Sequence, residues 1–179
     1  MLLLNVCCAP CSLPVIESEK GVSLYFYSPN IWPREEYDRR LEATRQVAQI
    51  YGVALSVGEY DHAAWLEYIK TNISDPPDQY PENSARCLAC FAYRIDRTAA
   101  HTKKSRFNDF ALTLSVSRYK DIGFINSYGE SAGLRRGLNY KPLALDAELA
   151  HQVSLQLSKK HGVYRQRYCG CEFSVRKGS

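Results

Sequence analysis

Leu2-Leu3-Leu4-Asn5-Val6-Cys7-Cys8-Ala9-Pro10-Cys11 is the stretch that decides the fold. Its first half is a short apolar run, and a run of that length bounded by turn-type residues reads as a buried strand. The strand empties directly into a cysteine-rich turn. Ser23-Leu24-Tyr25-Phe26-Tyr27 repeats the strand pattern and is stopped by Ser28-Pro29-Asn30. A helix is predicted from near Pro33, because proline lacks only an N–H that the first helical turn leaves unpaired anyway. Glu35, Glu36 and Asp38 suit the positive end of its dipole, Tyr37, Leu41, Val47, Ile50 and Tyr51 form its apolar stripe, and Gly52 closes it.

The alternation continues outward. Residues 53–60 alternate apolar and polar side chains and predict a third strand. Asp61 is placed to cap a helix over 63–71. Residues 74–85 carry the breakers Asp75-Pro76-Pro77-Asp78 and Tyr80-Pro81 and predict a loop. A long helix is expected from near Ser84, with Cys87, Cys90, Phe91 and Ile95 on one side. A strand over 110–116, a mostly helical stretch over 119–136, an irregular stretch over 143–147 and a last helix from Asp146 through Lys160 follow. Residues 163–179 show no clear period. Strands alternating with helices predict one α/β domain over residues 1–179, with a mainly parallel sheet covered on both faces.

Composition agrees with a folded protein: of 179 residues, 45% are apolar and 23% charged, which excludes disordered and collagen-like classes. A chain this long builds a core without disulfide staples. The net charge is +4, and the excess is local. Residues 159–179 hold six Lys/Arg (Lys159, Lys160, Arg165, Arg167, Arg176, Lys177) against one acid, Glu172. A basic end on a near-neutral body points to an anionic partner such as nucleic acid. The apolar run at the start is too short for a signal peptide or a membrane span, and no basic segment precedes it. The expectation is a cytoplasmic protein with no membrane partner, whose thiols stay reduced.

The 7 cysteines fall into three tight groups: Cys7, Cys8 and Cys11; Cys87 and Cys90; Cys169 and Cys171. An odd number in such clusters is a poor disulfide framework and a good metal or redox pattern. The first group follows the first strand, where ligands bind in open α/β sheets. Cys87 and Cys90 have helical i, i+3 spacing, which turns both sulfurs to one side. Gly170 gives the backbone freedom between the last two thiols.

Four readings compete. Buried apolar cysteine explains one group but not three. A structural zinc site uses CxxC half-sites, yet vicinal Cys7-Cys8 is an awkward partner for one. An iron–sulfur cluster also takes thiolates and is larger, so neighbouring cysteines reach different irons. Cys8-Ala9-Pro10-Cys11 has dithiol-oxidoreductase spacing but leaves Cys87 and Cys90 without work. Cys7, Cys8, Cys87 and Cys90 can together close one cluster. Cys11 is then surplus, free to bind a second metal ion, to replace another ligand or simply to pack. Cys169 and Cys171 remain as a close pair able to deliver two electrons by forming a disulfide.

Beyond these patterns, several blocks resemble a known family. They are Val6-Cys-Cys-Ala-Pro-Cys11, Tyr27-Ser-Pro-Asn-Ile31 with Pro33-Arg-Glu-Glu-Tyr37, Arg86-Cys-Leu-Ala-Cys-Phe91 with Tyr93-Arg94, Thr113-Leu114 with Ser117 and Lys120, and Tyr164-Arg-Gln-Arg-Tyr-Cys-Gly-Cys171. In number and order they resemble the cobalamin-independent epoxyqueuosine reductases, the QueH family. One departure is Asn5, where the family often carries His.

The resemblance implies a three-layer Rossmann-like sandwich of the nucleotide-hydrolase type. It implies reductive deoxygenation of the epoxide of epoxyqueuosine in tRNA, a two-electron step that gives queuosine. Cys7, Cys8, Cys87 and Cys90 match the ligands of a [4Fe-4S] cluster, Cys169 and Cys171 match a redox-active pair, and Cys11 is a candidate ligand for an additional iron ion. An electron donor of unidentified nature is implied as well. Tyr27, Tyr168 and Lys120 lie in the matching blocks as candidate proton donors. Tyr164, Arg165, Arg167 and Tyr168 interleave rings and charges beside the pair, and Arg165, Arg167 and Tyr168 are expected to meet the tRNA. Different expectations would follow for a zinc-stabilised RNA-binding module without catalysis, for a plain thiol–disulfide oxidoreductase, or for an ATP-using tRNA thiolation enzyme. The last would need a phosphate-binding loop where Cys7-Cys8-Ala9-Pro10-Cys11 stands.

Overall fold

The structure, a computed structural model, describes residues 1–117 and 119–174. Arg176 and Lys177 of the basic end lie outside the described residues. Five strands form one all-parallel sheet: β1 (Leu2–Val6), β2 (Val22–Phe26), β3 (Leu55–Val57), β4 (Asp109–Leu112) and β5 (Asn139–Tyr140), in the order β3-β2-β1-β4-β5. Among the described residues six α-helices flank it: α1 (Ala9–Ser18), α2 (Arg34–Tyr51), α3 (His62–Thr71), α4 (Ala85–Lys104), α5 (Ile122–Leu134) and α6 (Ala147–His161). The result is the parallel sheet covered on both faces that the alternation predicts, and it forms the three-layer Rossmann-like sandwich that the resemblance implies.

Side-chain alternation divides the core between the two faces. Leu3, Tyr25, Phe110 and Leu112 pack with Trp65 and Ile69 of α3, Phe91 and Ile95 of α4, and Ile125 of α5. Leu4, Val6, Val22, Leu24 and Ala111 pack the other way, with Val15 of α1, Ala48 of α2 and Ala150 of α6. Accordingly α1 packs against α2 and α6, and α4 against α3 and α5. Parallel strands buried on both faces need apolar side chains in both directions, which is why β1 reads as a run rather than an alternation.

The elements depart from expectation in several places. Helix α1 holds both Pro10 and Pro14. Pro10 sits in its first turn, where a missing N–H is harmless, and buried Leu13, Pro14 and Val15 hold the rest in place by packing. The third strand shrinks to Leu55–Val57. The fourth stops at Leu112 and passes into a 3-10 turn, Thr113–Val116, instead of running on. Asp61 stands at the start of α3 but makes no side-chain cap bond. Its carboxylate instead accepts from the Tyr27 and Tyr93 hydroxyls at 3.0 Å each. Asp146 does cap α6, accepting from the Leu149 N–H at 2.8 Å. Among the described residues no helix is long and apolar enough to cross a membrane.

Candidate active site

Strand order reverses at β1: the chain moves from β1 outward to β2 and β3, then returns to β4 on the other side. The carboxyl ends of β1 and β4 therefore diverge and open the crevice where α/β sheets bind ligands. Cys7 leaves β1 at that point and Thr113 leaves β4, with Cys7 Sγ 3.7 Å from Thr113 Oγ1. Cys8 stands just before α1, and one turn on its Sγ lies 3.0 Å from Cys11 Sγ. Hydrogen bonding to Cys8 raises the Cys7 thiol well above its usual range, and hydrogen bonding to Cys11 pushes Cys8 up to about 12.

Helix α4 supplies the second group. Its first turn carries Cys87, whose Sγ accepts the backbone N–H of Asn83 at 3.3 Å. One turn later comes Cys90, buried like Cys87 and pushed up to about 12 by its burial, with Arg94 opposing. Arg94 is one more turn along the same face, only 2% exposed. Burial works against its charge, yet the nearby Cys7, Cys90 and Cys169 sulfurs more than offset that and hold it protonated. Arg86 is equally buried; it donates to the Pro77 carbonyl at 2.7 Å and lies over the Phe173 ring. The Nε atoms of both guanidiniums and the Trp65 indole Nε1 are buried without a hydrogen-bond partner, and the indole faces the Cys90 thiol. Neither arginine forms an ion pair with a carboxylate side chain among the described residues.

The third group arrives on the C-terminal segment, which α2 fastens in place. Arg40 pairs with Glu36 at 2.7 Å inside the protein. It also donates to the Cys169 carbonyl at 3.0 Å and the Tyr168 carbonyl at 3.1 Å. Trp32 N–H donates to the Gly170 carbonyl at 2.8 Å, and Ser174 Oγ to the Cys171 carbonyl at 2.8 Å. Gly170 has φ +115, and a Cβ there would lie 2.8 Å from an Arg40 nitrogen and 3.1 Å from Ile31. Only glycine fits both the backbone and the space. Cys171 packs into the core with Cys87 and Cys90, and Cys7 borders the same cluster. Cys169 is half-buried and accepts from Lys120 Nζ at 3.2 Å. Burial pulls the Lys120 ammonium down, but the Cys169 sulfur outweighs it, so its pKa lies above the usual value.

The three groups foreseen from spacing thus meet at one end of the sheet, around Arg94 and Lys120. Among the described residues no three Cys, His, Asp or Glu side chains gather closely enough to hold a single metal ion. The donor set does fit a larger anionic, sulfur-ligated group. Buried cations without carboxylates and an unpartnered indole N–H border the thiols, and thiolate sulfur accepts from such donors.

The candidate proton donors separate on inspection. Tyr27 donates to Asp61, and burial followed by the Asp61 charge lifts its pKa far above the usual range, which makes it a poor acid. Tyr168 OH is engaged with the Trp32 carbonyl at 2.8 Å. Lys120 alone of the three donates to a cysteine sulfur, that of Cys169. Of the expected RNA contacts, Arg167 is exposed, while Arg165 turns inward and donates to the Ser154 and Ser158 hydroxyls of α6 at 2.9 and 3.2 Å. Arg40 and Trp65 carried no such role in the sequence reading. The i, i+4 pair Glu36/Arg40 was the visible trace of the first; nothing local marked the second.

Fold and site together define a thiol-centred α/β protein with its chemistry at the sheet's switch point. The family model described as epoxyqueuosine reductase QueH matches residues 2–177, and the chain belongs to that family of oxidoreductases in queuosine biosynthesis. It is 34% identical to epoxyqueuosine reductase QueH of Thermotoga maritima, over 97% of this chain and 90% of that protein. Its identity to the Haemophilus influenzae enzyme is also 34%, over 98% and 71%. The Acinetobacter baylyi enzyme is 33% identical, over 98% and 80%.

Proposed function

We propose that this chain removes the epoxide oxygen of epoxyqueuosine in tRNA, leaving the cyclopentene of queuosine. The observation that carries the mechanism is the meeting of Cys7, Cys87, Cys90 and the Cys169/Cys171 segment around buried, carboxylate-free Arg94. Cys7, Cys8, Cys87 and Cys90 are the proposed holders of a [4Fe-4S] cluster, and Cys11, in contact with Cys8, is the candidate for an additional iron. A cluster held there would supply one-electron transfer, and an additional iron with an open position would supply a Lewis acid for the epoxide oxygen. Arg86 and Arg94 would offset the negative charge of such a group, and the buried Trp65 indole N–H beside Cys90 would donate to its ligating thiolate. Cys169 and Cys171 act as the two-electron store, refilled by an electron donor outside the chain. Exposed Arg167 and the ring of Tyr168 flank the pair on the side open to tRNA, where loop bases and phosphates are recognised by stacking and charge.

The test is anaerobic. The protein is reconstituted with iron and sulfide, supplied with reductant and tRNA bearing epoxyqueuosine, and the nucleosides are analysed. The expected product is queuosine. Cys87→Ala is expected to lose both bound iron and product, and Cys169→Ala to keep the iron and lose the product. Full activity of metal-free protein would overturn the mechanism.

A further inference from the structure

Among the described residues Trp32 and Tyr119 are the only aromatic side chains that stand exposed, at 41% and 61%. Tryptophan is highly buried on average, as Trp65 is in the core of this chain at 1%. The two exposed rings come from different connections, Trp32 from the one between β2 and α2 and Tyr119 from the one between β4 and α5. Both nevertheless meet the Cys169 segment. Trp32 N–H donates to the Gly170 carbonyl and its own carbonyl accepts from the Tyr168 hydroxyl, each at 2.8 Å, so its backbone is pinned to the two residues that flank Cys169. Tyr119 directly precedes Lys120, whose Nζ stands 3.2 Å from Cys169 Sγ, and its carbonyl accepts from Asn83 Nδ2 at 2.6 Å. The neighbouring surface is cationic. Arg167 is exposed, Arg39 is exposed and lies over the Tyr164 ring, and the single carboxylate of Glu36 is shared between Arg39 and Arg40. Arg34 is matched by Asp38.

We propose that Trp32 and Tyr119 are substrate-binding residues, each stacking on an unpaired base of the tRNA loop, and that together they set the epoxide-bearing nucleotide at Cys169. This rests on the reading of tRNA as the substrate and names the side chains that take its bases. A single-stranded loop offers what this surface lacks: unstacked bases with open π-faces, and phosphates for the arginines. The hydrogen bonds that already hold the Trp32 and Tyr119 backbones reduce the freedom lost when a base arrives. Tyr168 is engaged differently, with the Arg40 guanidinium over its ring and its hydroxyl supporting Trp32. Every base has a π-face, so the two rings contribute grip and depth rather than the choice of base.

Binding of tRNA bearing epoxyqueuosine to the reconstituted protein is measured without reductant, so that no turnover intervenes. In the unaltered protein Trp32 is the tryptophan that acrylamide reaches, Trp65 being buried, and saturating tRNA is expected to remove that quenching. Trp32→Leu and Tyr119→Leu are each expected to weaken binding about tenfold, and Trp32→Phe and Tyr119→Phe to stay within about twofold of the parent, because a ring and not merely an apolar surface is required. None of the four should change the slope of log affinity against log salt, since no phosphate contact is lost. Undiminished acrylamide quenching in the saturated complex, unchanged affinity in either leucine variant, or equal losses in the leucine and phenylalanine variants would each overturn the proposal. The quenching measurement needs no variant, so misfolding of a variant cannot hide the answer. Failure of the unaltered protein to bind the tRNA defeats the tRNA reading and the inference with it; binding that ignores both rings defeats the inference alone.

Discussion

Arg40 ties the C-terminal cysteine segment to α2. It neutralises buried Glu36, caps two carbonyls of the C-terminal segment and lies 5.2 Å from the centre of the Tyr168 ring. Breaking a buried pair from one side leaves the other charge stranded, so Arg40→Met is expected to cost about 3–5 kcal/mol of stability. It should also free the Cys169 segment, seen as faster amide exchange there. A melting temperature close to the parent's would show that the clamp is dispensable. Gly170→Ala attacks the same contact from the other side. The added methyl meets Arg40 and Ile31 at a φ that L side chains rarely adopt, and about 1–3 kcal/mol of destabilisation is expected in chemical denaturation. Glycine between two cysteines was conspicuous in the sequence; that an arginine 130 residues away dictates it was not, because sequence periodicity reports one element at a time.

At the scale of elements, β1, β2, α2, α4 and α6 were legible because each carries its period or its cap in its own residues. The short strand β5 was not, since two residues cannot display an alternation. It exists because α5 lets it come close. A Cβ on Gly133 would stand 2.9 Å from the Leu138 carbonyl, and one on Gly129 would stand 2.7 Å from the Tyr140 ring. Gly133→Ala therefore has to push backbone aside, and a loss of about 1–3 kcal/mol is expected, with β5 amides losing protection first. An unchanged denaturation midpoint would mean that β5 docks by other means. The ends of β3 and β4 escaped sequence reading for a related reason. Alternation persists into turns, whereas β4 stops at Leu112, where a 3-10 turn begins and Thr113 stands beside Cys7. Helix α1 was missed because two prolines argue against a helix locally, while its packing against α2 and α6 argues for one globally.

For the molecule as a whole, the switch point gathers three cysteine groups that are far apart in sequence, and the basic C-terminal segment lies against that same end of the sheet. Composition placed Arg165 and Arg167 together as anion contacts, but the fold divides them. Arg165 is spent on α6, where its guanidinium donates to Ser154 and Ser158, whereas Arg167 faces solvent. The two substitutions should therefore differ in kind. Arg165→Ala is expected to lower stability by about 1–3 kcal/mol, since it strips hydrogen bonds from partly buried hydroxyls, and to leave the salt dependence of tRNA binding unchanged. Arg167→Glu is expected to leave melting unchanged and to weaken tRNA binding at low salt. Its plot of log affinity against log salt should be shallower by about one unit for the lost phosphate contact. Titrating tRNA into each protein at two salt concentrations separates the cases. If Arg167→Glu bound with unaltered affinity at both, the tRNA would have to approach from another face, and the charge excess of the C-terminal segment would serve something other than the substrate.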